Sequence, residues 1–183
     1  METIVVLGVI ALIVLFLIAQ YTRLIRLNIS VNEAWAQIEV QLKRRADLIP
    51  NLVESVKGYA KHEQTTFDAV VAARAKATTA STVADVAAAD GMLTQALRGL
   101  LAVAEAYPDL KASANFLSLQ EELATTENKV AFSRQFYNDN VRSLNTAVKT
   151  VPTNFFAGIA KVTEREFYEV EDPQDRNAPK VTF

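Results

Sequence analysis

The sequence predicts an all-α protein: an N-terminal transmembrane helix that continues into an antiparallel, up-and-down bundle of four helices, two long and two short. Half of the 183 residues are hydrophobic, and only five are Gly and five Pro, which leaves little for the turns of an all-β fold. A continuous apolar run opens the chain. After it, hydrophobic residues recur at steps of three and four, the spacing of one helix face.

The apolar run extends from Ile4 to Ala19, between Glu2 and Gln20. With its flanking residues it approaches the length that crosses a hydrocarbon core of about 30 Å. A signal peptide would need a basic N-terminal region and a small-x-small cleavage site, which are missing here. A buried core helix this uniformly apolar would need a larger protein around it. We therefore predict an uncleaved transmembrane anchor over residues 1–21.

Three residues after the run suit the membrane interface. Tyr21 can lie at the level of the lipid headgroups, with Arg23 and Arg26 just beyond it. Because positive charges favour the cytoplasmic side, these two arginines, against Glu2 at the other end, predict that the soluble domain lies on the cytoplasmic face. The lipid bilayer is thus the first predicted partner.

A bundle domain is predicted over residues 22–151, and its first helix carries an apolar stripe. Arg45 stands where this stripe predicts an apolar residue, and Pro50 predicts a bend without ending the helix. Gly58 and the polar residues after it predict a turn. The stripe comprises positions 24, 27, 31, 35, 38, 42, 49, 53, 56 and 60.

Three further helices complete the predicted bundle. The small and hydroxyl residues of 77–85 predict a loop between the second and third of the four helices. A hydrophobic knot and a flexible polar tail are predicted over residues 152–183. The three helices are expected at Gln64–Ala77, from about Val86 to Ala106, and from about Asp109 to Thr150, where Val151-Pro152 closes the last.

Several segments resemble the bacterial LemA family. They are AWAQIEVQLKRRADLIPNLVE (34–54), EAYPDLK (105–111), Thr126-Glu127-Asn128, Tyr137-Asn138 and Pro152. The similarity covers the chain from about Tyr21 to Gly158, and the tail after it diverges. The resemblance implies an N-terminally anchored helical bundle in the bacterial inner membrane. It also implies an association with membrane organisation and envelope protein quality control, and it supplies no catalytic residue.

No residue pattern indicates catalysis, so we predict that the protein is not an enzyme and has no catalytic, cofactor-binding or metal-binding residues. The chain has one histidine, His62, and no cysteine. Zinc sites and di-iron bundles therefore lack ligands, and His62 lies in a polar turn. The five glycines are scattered and form no phosphate-binding loop. The net charge of −2 favours no nucleic-acid partner.

Arg45 is the first candidate functional residue, because an unpaired charge on an apolar stripe is costly to bury. The fourth helix offers Glu121, Glu122 and Glu127 about midway along its length. We expect Arg45 or Arg44 to reach Glu127 or Glu121, and the favoured buried ion pair is Arg45 with Glu127. The alternative is that the Arg45 side chain extends to water.

The membrane-proximal half of the bundle is predicted to self-associate. The second and third helices are too short to cover the two long ones, so apolar flanks would be left open to water. Trp35 is the expected anchor of this surface, and a heterologous partner on the same surface is the alternative. The candidate residues are Leu27, Val31, Trp35, Ile38, Tyr137, Val141 and Leu144.

The end of the fourth helix should return towards Tyr21, because the two long helices have similar lengths. Phe155 and Phe156 would then reach the membrane interface, or alternatively cap the base of the bundle. Together the patterns favour a single-pass membrane scaffold that forms homo-oligomers and acts by binding. The second hypothesis is an adaptor or accessory subunit with a membrane protease as its partner.

Overall fold

The computed structural model describes residues 1–169. This part of the chain is all-α, as predicted, with six helices and no strand. The helices are α1 (Glu2–Lys57), α2 (Gln64–Thr79), α3 (Val83–Glu105), α4 (Pro108–Lys111), α5 (Ala114–Lys149) and α6 (Asn154–Ala160).

Helix α1 contains both the apolar run and the first apolar stripe, so the prediction of one continuous rod is confirmed. The helix continues past Pro50, which removes a single N–H from the backbone ladder. A bend at Pro50 stays a prediction. The helix ends before Gly58, where the backbone tightens: the N–H of Tyr59 bonds to the carbonyl of Val56 at 3.0 Å.

The loop predicted over residues 77–85 is wrong in length, since α2 continues to Thr79 and α3 begins at Val83 rather than Val86. The hydroxyl residues that suggested a loop support the helix ends instead. Thr79 Oγ1 donates to the carbonyl of Ala75 at 3.0 Å. Thr82 caps α3 by accepting a hydrogen bond from the N–H of Asp85 at 3.1 Å, which satisfies one orphan donor of the first turn.

The single fourth helix predicted from Asp109 to Thr150 is also wrong, because the chain forms α4 and α5 with a break at Ala112 and Ser113. The N–H of Ala112 turns back to the carbonyls of Leu110 and Pro108, which closes α4 after one turn. The carbonyl of Ser113 then accepts the N–H of Leu117 and starts α5. The break lets the short helix bury Leu110 completely.

The chain divides into two compact units, to both of which α1 and α5 contribute. Of the described residues, the first unit comprises Met1–Gln37 and Gln135–Phe167, and the second comprises Ile38–Arg134 with Tyr168 and Glu169. The predicted division into anchor, bundle and tail at residues 21 and 151 stays a prediction. The core of the second unit is built by α1 to α5, with Ile49, Leu52, Val56, Phe67, Val70, Leu93, Leu97, Leu100, Leu110, Phe116 and Leu123 among its residues.

The C-terminal segment differs from its prediction. The expected hydrophobic knot contains helix α6, none of whose residues is fully buried, and Val162, which is buried. The expected flexible tail is wrong for Tyr168, which is only 1% exposed. The rest of the predicted tail, residues 170–183, lies outside the described residues.

Candidate functional site

The described part of the chain offers little for catalysis. Residues 1–169 contain no group of three or more His, Cys, Asp or Glu side chains that could hold a metal ion. His62 is exposed in the turn between α1 and α2. The chemically distinctive features are the apolar start of α1, a buried cluster of charged groups around Arg45, and an exposed face around Phe132.

Among the described helices, α1 alone is long and apolar enough to cross a membrane. Its most apolar stretch of 18 residues has a mean hydropathy of 2.9, and none of this stretch is buried. A soluble core helix would be covered by the rest of the fold, so this exposure argues against that alternative. The helix is compatible with a membrane anchor.

Three of the five residues predicted for the membrane interface lie on α1 directly after the apolar run. Arg23 and Arg26 are exposed and, with Thr22 and Ser30, line an open cavity of about 410 Å³. Tyr21 is 40% exposed. The remaining candidates, Phe155 and Phe156, lie on α6, where Phe155 is exposed and Phe156 half-buried.

The predicted self-association surface is not open. Its premise was an exposed apolar flank, and this is wrong: Val31, Ile38, Tyr137, Val141 and Leu144 are buried, and Leu27 and Trp35 are half-buried.

The burial within the first unit has two causes. Trp35 of α1 packs against Tyr137 of α5, with ring centroids 5.4 Å apart. The extended segment after α6 also lies along this unit. Tyr137 donates its hydroxyl hydrogen to the carbonyl of Glu166 at 2.9 Å, and Asn145 exchanges two hydrogen bonds with the backbone of Arg165.

Arg45 lies at the centre of a buried polar network in the second unit. Its Nη1 donates to Asp90 Oδ1 at 2.5 Å, and its Nη2 donates to Thr94 Oγ1 at 3.0 Å and to Glu127 Oε1 at 2.9 Å. The structure therefore brings the predicted pair, Arg45 and Glu127, together. The Glu127 side chain is 46% exposed, whereas Arg45 and Asp90 are almost fully buried, so Asp90 is the main partner. The neighbouring Arg44 pairs with Glu122 at 2.8 Å on the surface.

Asp90 was missed in the sequence, although a signal for it was present. The apolar stripe of α3 passes from Val86 to Leu93, and Asp90 occupies the helical position between them. It interrupts its stripe in the same way that Arg45 interrupts the stripe of α1. Two opposite charges that each replace a core residue predict a buried pair.

Tyr168 completes the network from the far end of the chain. Its hydroxyl donates to Asp90 Oδ2 at 3.2 Å. Burial raises the pKa of Tyr168 far above its ordinary value, and the Asp90 carboxylate raises it further, because a phenolate there would be desolvated and beside a negative charge. Burial also raises the pKa of Tyr137. Both tyrosines therefore stay protonated in the folded protein.

The raised pKa of Tyr168 predicts a loss of stability in alkali. Tyrosine in the unfolded chain ionises near its ordinary pKa of 10.0. Because Tyr168 keeps its proton in the folded protein, its contribution to the free energy of unfolding is fully present below this pH. The contribution is lost as the pH rises above it. When the pH is raised from about 9 to about 11, we expect the Tm of the Tyr168→Phe protein to fall less than the Tm of the wild type. Circular-dichroism melts of the full chain in detergent measure this, and equal losses in the two proteins would refute it. Tyr137 is present in both proteins, so its contribution to the change of Tm with pH is the same in each and drops out of the comparison.

An exposed face of the second unit was not predicted. Phe132 is 69% exposed. Phe132 borders an open cavity of about 470 Å³, which Gln41, Thr125, Asn128, Lys129 and Ser133 also line. Gln41 Oε1 is buried there without a hydrogen-bond donor. We call Gln41, Asn128, Lys129 and Phe132 the Phe132 face.

Comparison with known proteins identifies the family. The LemA family model matches residues 34–183, which is most of the chain. The chain belongs to the LemA family. The match continues to residue 183, so the expectation that the tail diverges from the family after Gly158 is wrong.

Two kinds of relative resemble this LemA-family protein. Protein LemA of Metamycoplasma hominis is 25% identical over 169 residues, which cover 87% of this chain and 77% of the relative. Magnetosome proteins MamQ 1 and MamQ 2 of Paramagnetospirillum magneticum are each 23% identical over 196 residues, which cover 93% of this chain and 72% of each relative. None of these names denotes a reaction.

Proposed function

We propose that this LemA-family protein is a single-pass membrane scaffold that self-associates and acts by binding. One observation carries the proposal: the apolar stretch of α1 is entirely uncovered, while the same helix continues without a loop into the helical domain. Lipid tails can cover such a stretch, and a helix satisfies its own backbone groups in hydrocarbon. Arg23 and Arg26 after the stretch favour the bacterial inner membrane with the domain on the cytoplasmic face.

The Phe132 face supports self-association in place of the surface predicted from the sequence. Large exposed aromatic side chains dominate interface energetics once they are buried in a partner's pocket. Asn128, which lines the same cavity, carries both an amide N–H donor and a carbonyl acceptor. A face that combines an exposed aromatic side chain with a group that both donates and accepts hydrogen bonds can pair with its own copy about a two-fold axis.

The test is the particle size of the full chain after extraction in mild detergent. We expect the wild type to form a homomeric particle, and Phe132→Asp to give monomers with unchanged helix content. Val71→Asp is the matched control, since Val71 is 55% exposed on α2, away from the Phe132 face. Light scattering after size-exclusion chromatography measures the mass.

Two results would count against this proposal. An unchanged mass in the Phe132→Asp protein would exclude the Phe132 face. Monomeric wild type that co-purifies with a stoichiometric membrane protease would favour the alternative, an adaptor or accessory subunit in envelope protein quality control.

A further inference from the structure

We propose that α6 is a second membrane contact, a short helix whose Phe155 and Ile159 enter the same leaflet that α1 leaves. This inference rests on the membrane anchoring proposed above. It adds to that anchoring a second point at which the protein touches the bilayer.

The position of α6 carries the first part of the argument. Thr153, immediately before α6, is 3% exposed and donates its hydroxyl hydrogen to Gln20 Oε1 at 3.1 Å. Gln20 is the first polar residue after the apolar run of α1. The hydrogen bond therefore fixes the start of α6 at the level where the span would leave the hydrocarbon core. Both residues belong to the first compact unit.

The surface of α6 carries the second part. Phe155 and Ile159 are four residues apart, so they lie on one face of the helix, and they are 71% and 73% exposed. Val151, just before the helix, is 71% exposed as well. Helix α6 contains no charged residue. Its Phe156, Ala157 and Ala160 are half-buried, which gives the helix one covered and one open apolar face.

The chain becomes buried again directly after α6, which limits the contact to one leaflet. Lys161 ends the helix in the left-handed region with φ of 52°, and the N–H of Val162 bonds to the carbonyl of Ala157 at 3.0 Å. Val162 is buried again. The exposed Lys161 leaves its ammonium group at the end of α6, where it can meet lipid phosphates.

The bilayer fits this face better than a soluble partner does. Exposed aromatic and aliphatic side chains bury apolar area at the boundary between headgroups and acyl chains, and α6 has no charged group that would lose its hydration there. Because α6 starts beside Gln20, a soluble partner covering Phe155 and Ile159 would itself have to lie in the headgroup layer. A second copy of the chain is the remaining occupant, and the experiment distinguishes it.

The chain has no cysteine, so single cysteines can be labelled selectively. Four variants of the full chain, Leu12→Cys, Val71→Cys, Phe155→Cys and Ile159→Cys, carry a nitroxide spin label in phosphatidylcholine–phosphatidylglycerol vesicles. Power saturation compares their access to oxygen, which concentrates in lipid, with access to a water-soluble nickel chelate. We expect labels at 155 and 159 to favour oxygen, as at Leu12 in the span, and the label at the exposed Val71 of α2 to favour nickel.

The two controls separate failure of this inference from failure of the anchoring proposal. Nickel access at 155 and 159 like that at Val71, with Leu12 still in lipid, would overturn the contact of α6 and leave the anchor standing. Nickel access at Leu12 would overturn both. Low access to both reagents at 155, with spectral broadening that disappears on dilution with unlabelled protein, would assign α6 to a second copy and overturn the inference.

Discussion

An Arg45→Met protein is expected to melt about 6–20 °C below the wild type, which corresponds to a loss of about 3–5 kcal/mol in the free energy of unfolding. The side chains of Arg45 and Asp90 are only 3% and 7% exposed. Methionine keeps the packing of the arginine stem but leaves the Asp90 carboxylate buried without a cation. Removing one partner of a buried pair costs more than the pair itself contributes. Thermal unfolding of the full chain in detergent, followed by circular dichroism, measures the change.

Two matched variants test the cause. Arg45→Met combined with Asp90→Leu should recover most of the lost Tm, because no buried charge remains unpaired. Arg44→Met should cost less than about 1 kcal/mol, since Arg44 and Glu122 form a half-exposed pair. If Arg45→Met alone left Tm unchanged or raised it, the buried pair would be shown to contribute no net stability.

Tyr168→Ala is expected to cost about 3–5 kcal/mol, as truncation of a buried aromatic does, and to lower Tm by about 6–20 °C. Tyr168 is among the largest fully buried side chains in residues 1–169, and its hydroxyl donates to Asp90. Alanine removes the ring, opens a cavity and leaves Asp90 Oδ2 without this donor. The same circular-dichroism melt measures the loss.

Neighbouring variants show whether the ring or the hydroxyl matters. Tyr168→Phe keeps the ring and should lose about 1.5–3 kcal/mol, the contribution of a hydrogen bond to a charged group. Phe167→Ala, at the adjacent and 37% exposed position, should lose less than Tyr168→Ala. If the Tyr168→Ala protein were as stable as the wild type, Tyr168 would be shown not to stabilise the second unit.

The long helices could be predicted because their stripes are periodic. In α1 the steps of three and four identified the side that includes Leu24, Ile38 and Ile49 as buried, and all three are buried. The same periodicity marked Arg45 as a charge within the core. The ends of α2 and α3 were less predictable, because threonine suits a loop and a helix cap equally well.

The segment after α6 could not be predicted from local pattern. It is extended and polar, and its contacts join residues far apart in sequence: the Arg165 guanidinium donates to Asn28 and Asn32, and Tyr168 reaches Asp90. Single long-range hydrogen bonds leave no periodic signal. Helix lengths alone predict an open apolar flank on α1 and α5, and this segment bonds to Tyr137 and Asn145 on that flank.

The late position of this segment has a consequence for biogenesis. Val162, Arg165 and Tyr168 contribute to the two units, yet the ribosome makes them only after all six described helices. Chains fold from the N-terminus during synthesis, so the nascent protein exposes apolar helix faces until residues 162–168 have been added. A product of premature termination before Val162 would retain its apolar first helix but lack the residues that close either core. Such fragments would accumulate as substrates for proteolysis at the membrane rather than as shortened functional protein.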